Sequence, residues 1–187
     1  ESGTLTKELP VGVAPFDVTL KADGKTAFVS NWGGRHPKAG EKTAKSSGTE
    51  TLVDDRSVAA SGTVSVVDLE QGKESAQITT GLHPSDLELS ADQRTLYVAN
   101  ANSDTVSVID TTNLRVVDSV LVRPDPTLPF GSAPNALTLS QDGKTLFVAN
   151  GGTTAVAAAA LAAKPTHEGS TPTPGYPGAR SSAGDAP

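Results

Sequence analysis

The stretch Asp92–Ser103, DQRTLYVANANS, recurs twice in a chain of 187 residues, as DGKTAFVSNWGG at 23–34 and as DGKTLFVANGGT at 142–153. Each copy joins a turn led by aspartate to an apolar run ending on asparagine. Asp-Gly between β-forming runs is the strongest short hairpin signal. A proline stands sixteen residues before each asparagine: Pro15 before Asn31, Pro84 before Asn100, Pro134 before Asn150. The steps between copies are 69 and 50 residues, and both reduce to 42 once insertions of 27 and 8 residues are set aside. The longer insertion lies within 35–61 and the shorter in RPDPTLPF, 123–130.

Each period reads as four short strands. In the first copy they are FDVTL (16–20), TAFVSN (26–31), TVSVVD (63–68) and SAQITT (75–80). Val, Ile, Thr and Phe suit strands, and Gly, Asp, Asn and Pro punctuate them. No segment outside the alanine run carries a helical apolar period. Four antiparallel strands per 40–45 residues is the signature of a β-propeller blade. The predicted fold is therefore all-β, a partial propeller at 1–163. Its blades fall at about 13–80, 82–122 and 131–163, with 1–12 as the outer strand of a preceding blade. In the third copy AVAAAALAA (155–163) replaces the expected TVSVID and is expected to break the strand pattern. Residues 164–187, rich in Pro, Gly, Ser and Thr, read as a linker or as the degenerate start of a fourth blade at Pro177. Asp185 then falls in the turn position, and Arg180 to Ser182 stand where a strand wants apolar residues.

Propellers close with four to eight blades, and an arc of three leaves two apolar faces bare. The expectation is that the remaining blades come from the same, longer chain or from a neighbouring copy. The net charge of -6 argues against a nucleic-acid partner, and the nine-residue alanine-rich run is too short to insert in a membrane. The chain has no cysteine, which excludes disulfides and thiolate chemistry and fits an extracytoplasmic (periplasmic, secreted or cell-surface) protein.

Successive turns of an antiparallel blade alternate between two faces, so both insertions fall on one face. Loops on one face of a rigid scaffold are where binding sites lie. The candidates there are Asn31, Trp32, Arg35 and His36, which lead into the long insertion, with His83 and Asp86 at the start of the second blade and Asp17 matching Asp86 in the first. Beside each stands a plainer reading. The three matched asparagines bond backbone at strand ends. Asp17 and Asp86 either line a central channel or bond local backbone, and the third copy has Ala136 there. Trp32, the only tryptophan, is either an exposed recognition residue or a packed lid. The histidines lack metal-ligand spacing, so no metal is assigned. EKTAKSSGTETLVDDR (41–56) reads as a solvated loop, and its Asp54-Asp55 pair lacks the alternating oxygens of a calcium loop. No Gly-x-Ser-x-Gly elbow, phosphate-cradling glycine loop or His-Glu-x-x-His is present, so neither catalytic residue nor cofactor is assigned.

LYVANANSDTVSVID (96–110) resembles the YVTN-type repeat of bacterial lactonase-like and surface-layer-type propellers, and residues 5–161 carry the resemblance. The first copy, GVAPFDVTLKADGKTAFVSNWGGR (12–35), with its insertion ending in DDRSVAASGTVSVVD (54–68), is similar to the propeller half of bacterial proteins that fuse such a propeller to an alkaline-phosphatase-superfamily phosphoesterase. That resemblance implies a non-catalytic binding or scaffolding module with a protein partner or a fused domain. The alternatives are a lactonase-like hydrolase with a central-channel site using Asp17, Asp86 or His83, and a structural surface-layer or adhesion protein.

Overall fold

A computed structural model describes residues 3–46 and 48–178. Three four-stranded antiparallel sheets follow one another along the chain. The first holds β1 (Val13–Leu20), β2 (Thr26–Gly34), β5 (Thr63–Asp68) and β6 (Lys73–Thr79) in that spatial order. The second holds β7 (Pro84–Leu89), β8 (Thr95–Asn100), β9 (Thr105–Asp110) and β10 (Arg115–Leu121). The third holds β11 (Pro134–Leu139), β12 (Thr145–Asn150), β13 (Ala155–Ala160) and β14 (Thr166–Pro172). Strands β1, β7 and β11 are the inner strands, in contact from sheet to sheet. The sheets are three blades of a β-propeller.

The blades pack face to face because their central strands are apolar on both sides. Along β8, Leu96 and Val98 point toward the first blade and join Phe28, Val64, Val66, Ile78, Leu87 and Ile109 in one core. Tyr97 and Ala99, on the alternate face, enter a second core with Val106, Val108, Leu137, Leu146 and Val148. This period of two is the strand's own geometry. Each side chain so buried contributes about 1.5–3 kcal/mol.

The turns between first and second strands close as expected. Asp23 Oδ1 accepts the amides of Lys25 and Thr26, and Asp92 and Asp142 accept those of Arg94 and Lys144. The next position is left-handed in all three, at φ 67° for Gly24, 62° for Gln93 and 68° for Gly143.

Four expectations are corrected. Residues 3–12 form no strand; they run along the first blade, where the Gly12 amide donates to Ser65 Oγ at 3.3 Å. The alanine run does not break the pattern: Ala155–Ala160 pairs with β12 and β14, and ladders on both sides outweigh alanine's weak strand preference. Within the stretch read as a linker, Thr166–Pro172 is the third blade's outer strand. Its sequence, THEGSTP, hid it, because an outer strand covers little core and needs no apolar alternation. Within 41–56, β3 (Thr43–Ser46) and β4 (Thr49–Leu52) form a two-stranded sheet rather than a solvated loop.

The proposed fourth start at Pro177 falls at the edge of the described residues, and Arg180 to Ser182 and Asp185 lie outside them. Two bonds repeat around Pro177. The Thr173 amide donates to Thr154 O at 2.7 Å, as Val122 does to Asp104 O and Thr80 to Gly62 O in the preceding blades. Asn135 Nδ2 donates to Pro177 O at 3.1 Å, as Ser85 Oγ does to Pro134 O at 3.3 Å. Pro177 is thus held in the place that Pro134 occupies one blade earlier.

Candidate functional site: an aromatic stack beside the long insertion

The repeat supplies its own comparison, because each position has counterparts in the other blades. Phe16 stands where the others have Ser85 and Asn135. Trp32 stands where they have Ala101 and Gly151, and His83 where they have Ala14 and Ala133. These three departures converge. The Phe16 and Trp32 rings stack with centroids 4.4 Å apart and planes 14° apart. The His83 ring lies 4.3 Å from Trp32 on a 48° tilt. Trp32 is therefore a half-buried ring held between two others, and Phe16 remains 54% exposed.

Local backbone sets this arrangement. The residue before the proline is left-handed in every blade, at φ 54° for Ala14, 57° for His83 and 49° for Ala133. A non-glycine residue held there costs on the order of 1–3 kcal/mol, and a following proline disfavours it further. In the second and third blades the turn after the same blade's second strand secures it: the Ala101 amide donates to His83 O and that of Gly151 to Ala133 O, each at 3.0 Å. Burial pushes the His83 imidazole below its ordinary range, which keeps it neutral against Trp32 at pH 7.

A cleft of about 370 Å³ lies beside the stack, between Trp32 and His83 on one side and β3, β4 and the segment 57–59 on the other. Gly33 lets the hairpin approach: a Cβ there would meet Val13 Cγ1 at 2.5 Å and Thr51 Cγ2 at 3.2 Å. Trp32 Nε1 is buried and makes no hydrogen bond among the described residues.

The other candidates serve different ends. Just after Pro15 and Pro84 the inner ladders skip two residues, pairing again at Val18 and Leu87, and the irregular stretch turns Asp17 and Asp86 inward. Asp17 Oδ2 accepts the Leu87 amide of the next blade at 3.0 Å, and Asp86 Oδ2 accepts that of Leu137. In the third blade the ladder skips only one residue, and Ala136 pairs with Ala149. Both aspartates are spent on inter-blade backbone. Burial raises Asp86 to about 6, with repulsion from Asp17 adding to it. Asn31 is fully buried, its Nδ2 donating to Ser65 Oγ at 2.9 Å and Thr63 Oγ1 at 3.2 Å. Asn100 repeats this with Ser107 and Thr105. Their main partners are thus hydroxyls on the neighbouring strand rather than backbone. In the third blade alanines replace the hydroxyls, and Asn150 Nδ2 turns to Val122 O at 2.8 Å.

Arg35 and His36 do not join the stack. Arg35 forms a two-pronged pair with Glu41, at 2.8 and 2.6 Å, and that hydrogen bonding holds the Glu41 carboxyl down at about 2. His36 Nε2 meets Val11 O at 2.9 Å and tethers the N-terminal segment. Among the described residues no three His, Asp or Glu side chains come together to hold a metal ion.

Two residues escaped the sequence reading. Asp104 is fully buried in the turn after β8, where it pairs with Arg123 at 3.1 Å and accepts the amides of Gly131 and Ala133. It thereby ties the eight-residue insertion to the same face. Phe16 was the third departure from the repeat, and comparison with Ser85 and Asn135 would have found it.

No family model matches the chain, and no curated protein matches it in sequence. Solved structures do. Hydrazine synthase from Kuenenia stuttgartiensis is 25% identical over 94% of this chain and 40% of that one, with a TM-score of 0.62. A Bacteroides uniformis protein provisionally assigned as a 6-phosphogluconolactonase is 14% identical over 87% of this chain and 45% of that one, at 0.56. The WD40 repeats of RRP9 are 10% identical over 88% of this chain and 40% of that one, at 0.60. The chain spans less than half the length of these structures. What the likeness gives is the fold, a β-propeller arc of the WD40 kind.

Proposed function

We propose that this chain is the recognition part of a larger β-propeller. It is a non-catalytic binding or scaffolding module, working outside the cytoplasm, that meets a partner protein or a phosphoesterase domain fused in the same polypeptide. The contact is made through the face bearing the two insertions. The observation that carries this reading is the convergence of Phe16, Trp32 and His83, three departures from the repeat, beside the cleft of the long insertion. The similarity of the first copy and its insertion to phosphoesterase-fused propellers supports the fused domain, and the cysteine-free composition supports the location. A larger ring accounts for the exposed stripe Phe16, Val18 and Leu20: the counterparts of Val18 in the next two blades, Leu87 and Leu137, are buried against the preceding blade. The engagement of Asp17 and Asp86 by backbone amides speaks against the hydrolase alternative.

The test is site-specific photo-crosslinking in the full-length protein. A photoreactive residue at Asn102, on the cleft, is expected to capture the partner or the fused domain, and one at the exposed Val117 of the outer strand is not. Capture from position 117 alone would overturn the reading.

A further inference from the structure

We propose that the cleft beside Trp32 binds a small organic carboxylate, with Lys45 and the Trp32 Nε1–H group meeting the anion and Val53, Val58 and Ala59 covering an apolar body. This rests on the reading of the insertion face as the recognition surface, and it names the chemistry of one ligand there.

At about 370 Å³ the cleft falls within the range of small-molecule sites, which combine apolar walls with a few convergent polar groups. Trp32 lines the cleft with Phe16 stacked on its ring and His83 tilted against it, and its buried N–H lacks a partner among the described residues. A buried donor left unpaired costs about 1–3 kcal/mol, and an acceptor from a ligand recovers it.

Charge decides the ligand's sign. In a chain of net charge -6 no carboxylate among the described residues lines this cleft, and Lys45 is the one charged lining residue among them. Elsewhere in the insertion Arg35 pairs with Glu41, Lys42 with Asp55 and Arg56 with Asp54, and Lys38 does not line the cleft. Glu50 faces Lys45 across the hairpin register, yet the two form no ion pair and Glu50 does not line the cleft. A cationic ligand would find no counter-charge. An anion finds an ammonium and an N–H, a charge-assisted pairing.

Trp32 is the only tryptophan, so its fluorescence reads this site directly. Sodium benzoate and neutral benzamide are titrated into the chain, with emission followed at constant ionic strength. Benzoate is expected to give a saturable change and benzamide to bind about tenfold more weakly. Lys45→Gln on the exposed hairpin is expected to weaken benzoate about tenfold, and Lys42→Gln, outside the cleft, to leave it unchanged. Absence of saturation up to about 50 mM benzoate, equal binding of benzamide, or an unchanged Lys45→Gln variant would overturn the proposal. If crosslinking from position 102 still captures a partner while benzoate does not bind, the carboxylate proposal alone falls.

Discussion

Asp17 takes the Leu87 amide of the next blade on its carboxylate, at 3.0 Å, while the Asp86 beside it does the same for Leu137 one blade further on. Burial of Asp86 disfavours its charge, and repulsion between the two acids that hold the arc together adds to the cost.

That arrangement predicts a pH-dependent stability with a definite sign. Asp86, raised to about 6 from 3.8, holds its proton more tightly folded than unfolded. Its contribution is present at low pH and is lost as pH rises through about 4 to 6. Asp86→Asn keeps an acceptor for Leu137 and removes the charge. It is expected to gain about 1–2 kcal/mol at pH 7, after allowance for solvent reaching the carboxyl, or about 2–8 °C in Tm. At pH 3.5 it should match the wild type. A wild-type-minus-variant difference that stays flat from pH 4 to 6 would show the carboxyl to be unperturbed.

The buried amides give a graded pair. Asn100→Ala leaves Thr105 and Ser107 without their donor, whereas Asn150→Ala removes one bond to a backbone carbonyl. Urea melts should show a loss of about 2–3 kcal/mol at position 100 and about 1 kcal/mol less at position 150. Equal losses would mean that the hydroxyl partners add nothing.

Asp104 fastens the short insertion. Asp104→Ala strands Arg123 and two amides, and about 3–5 kcal/mol of stability should go with it. Asp104→Asn tolerates the left-handed backbone at φ 53° and should lose less. Limited proteolysis is expected to cut the alanine variant first within 123–130; an uncut segment would count against the tether.

Trp32 and His83 predict a spectroscopic pH profile. Protonated imidazole quenches indole emission, and burial puts His83 below the ordinary histidine range, so emission should fall in a step centred below pH 6.5. His83→Ala should abolish the step. Its persistence in that variant would assign it to another group.

The exposed stripe makes the last prediction. Val18→Lys should leave the melting of this chain within about 0.5 kcal/mol of wild type and reduce its self-association. Leu87→Lys, at the matched register but buried between blades, should unfold it. Equal tolerance at both sites would mean that Leu87 is not packed between blades.

The blades were legible because the first two strands of each carry strong signals: proline, an aspartate turn, an apolar run and asparagine. Outer strands were legible only where apolar, as in RVVDSVL; THEGSTP gave nothing because the ladder to β13, not burial, makes it a strand. The hairpin of β3 and β4 was hidden for the same reason, being TAKS against TETL. At the site, Trp32 and His83 stood out as rare residue types, but nothing local showed that they touch. Their meeting depends on a left-handed residue before proline, which no propensity favours. Asp104 was passed over because it lies in a turn, where aspartate is ordinary.

Strand β8 sends Leu96 and Val98 into one core and Tyr97 and Ala99 into the other. Only the middle blade is therefore clasped from both sides, while each flanking blade has a single neighbour among the described residues. Stacked units of this kind come apart one junction at a time, from the ends inward. The molecule has a direction of loosening, and amide protons on β8 should be the slowest to exchange with solvent.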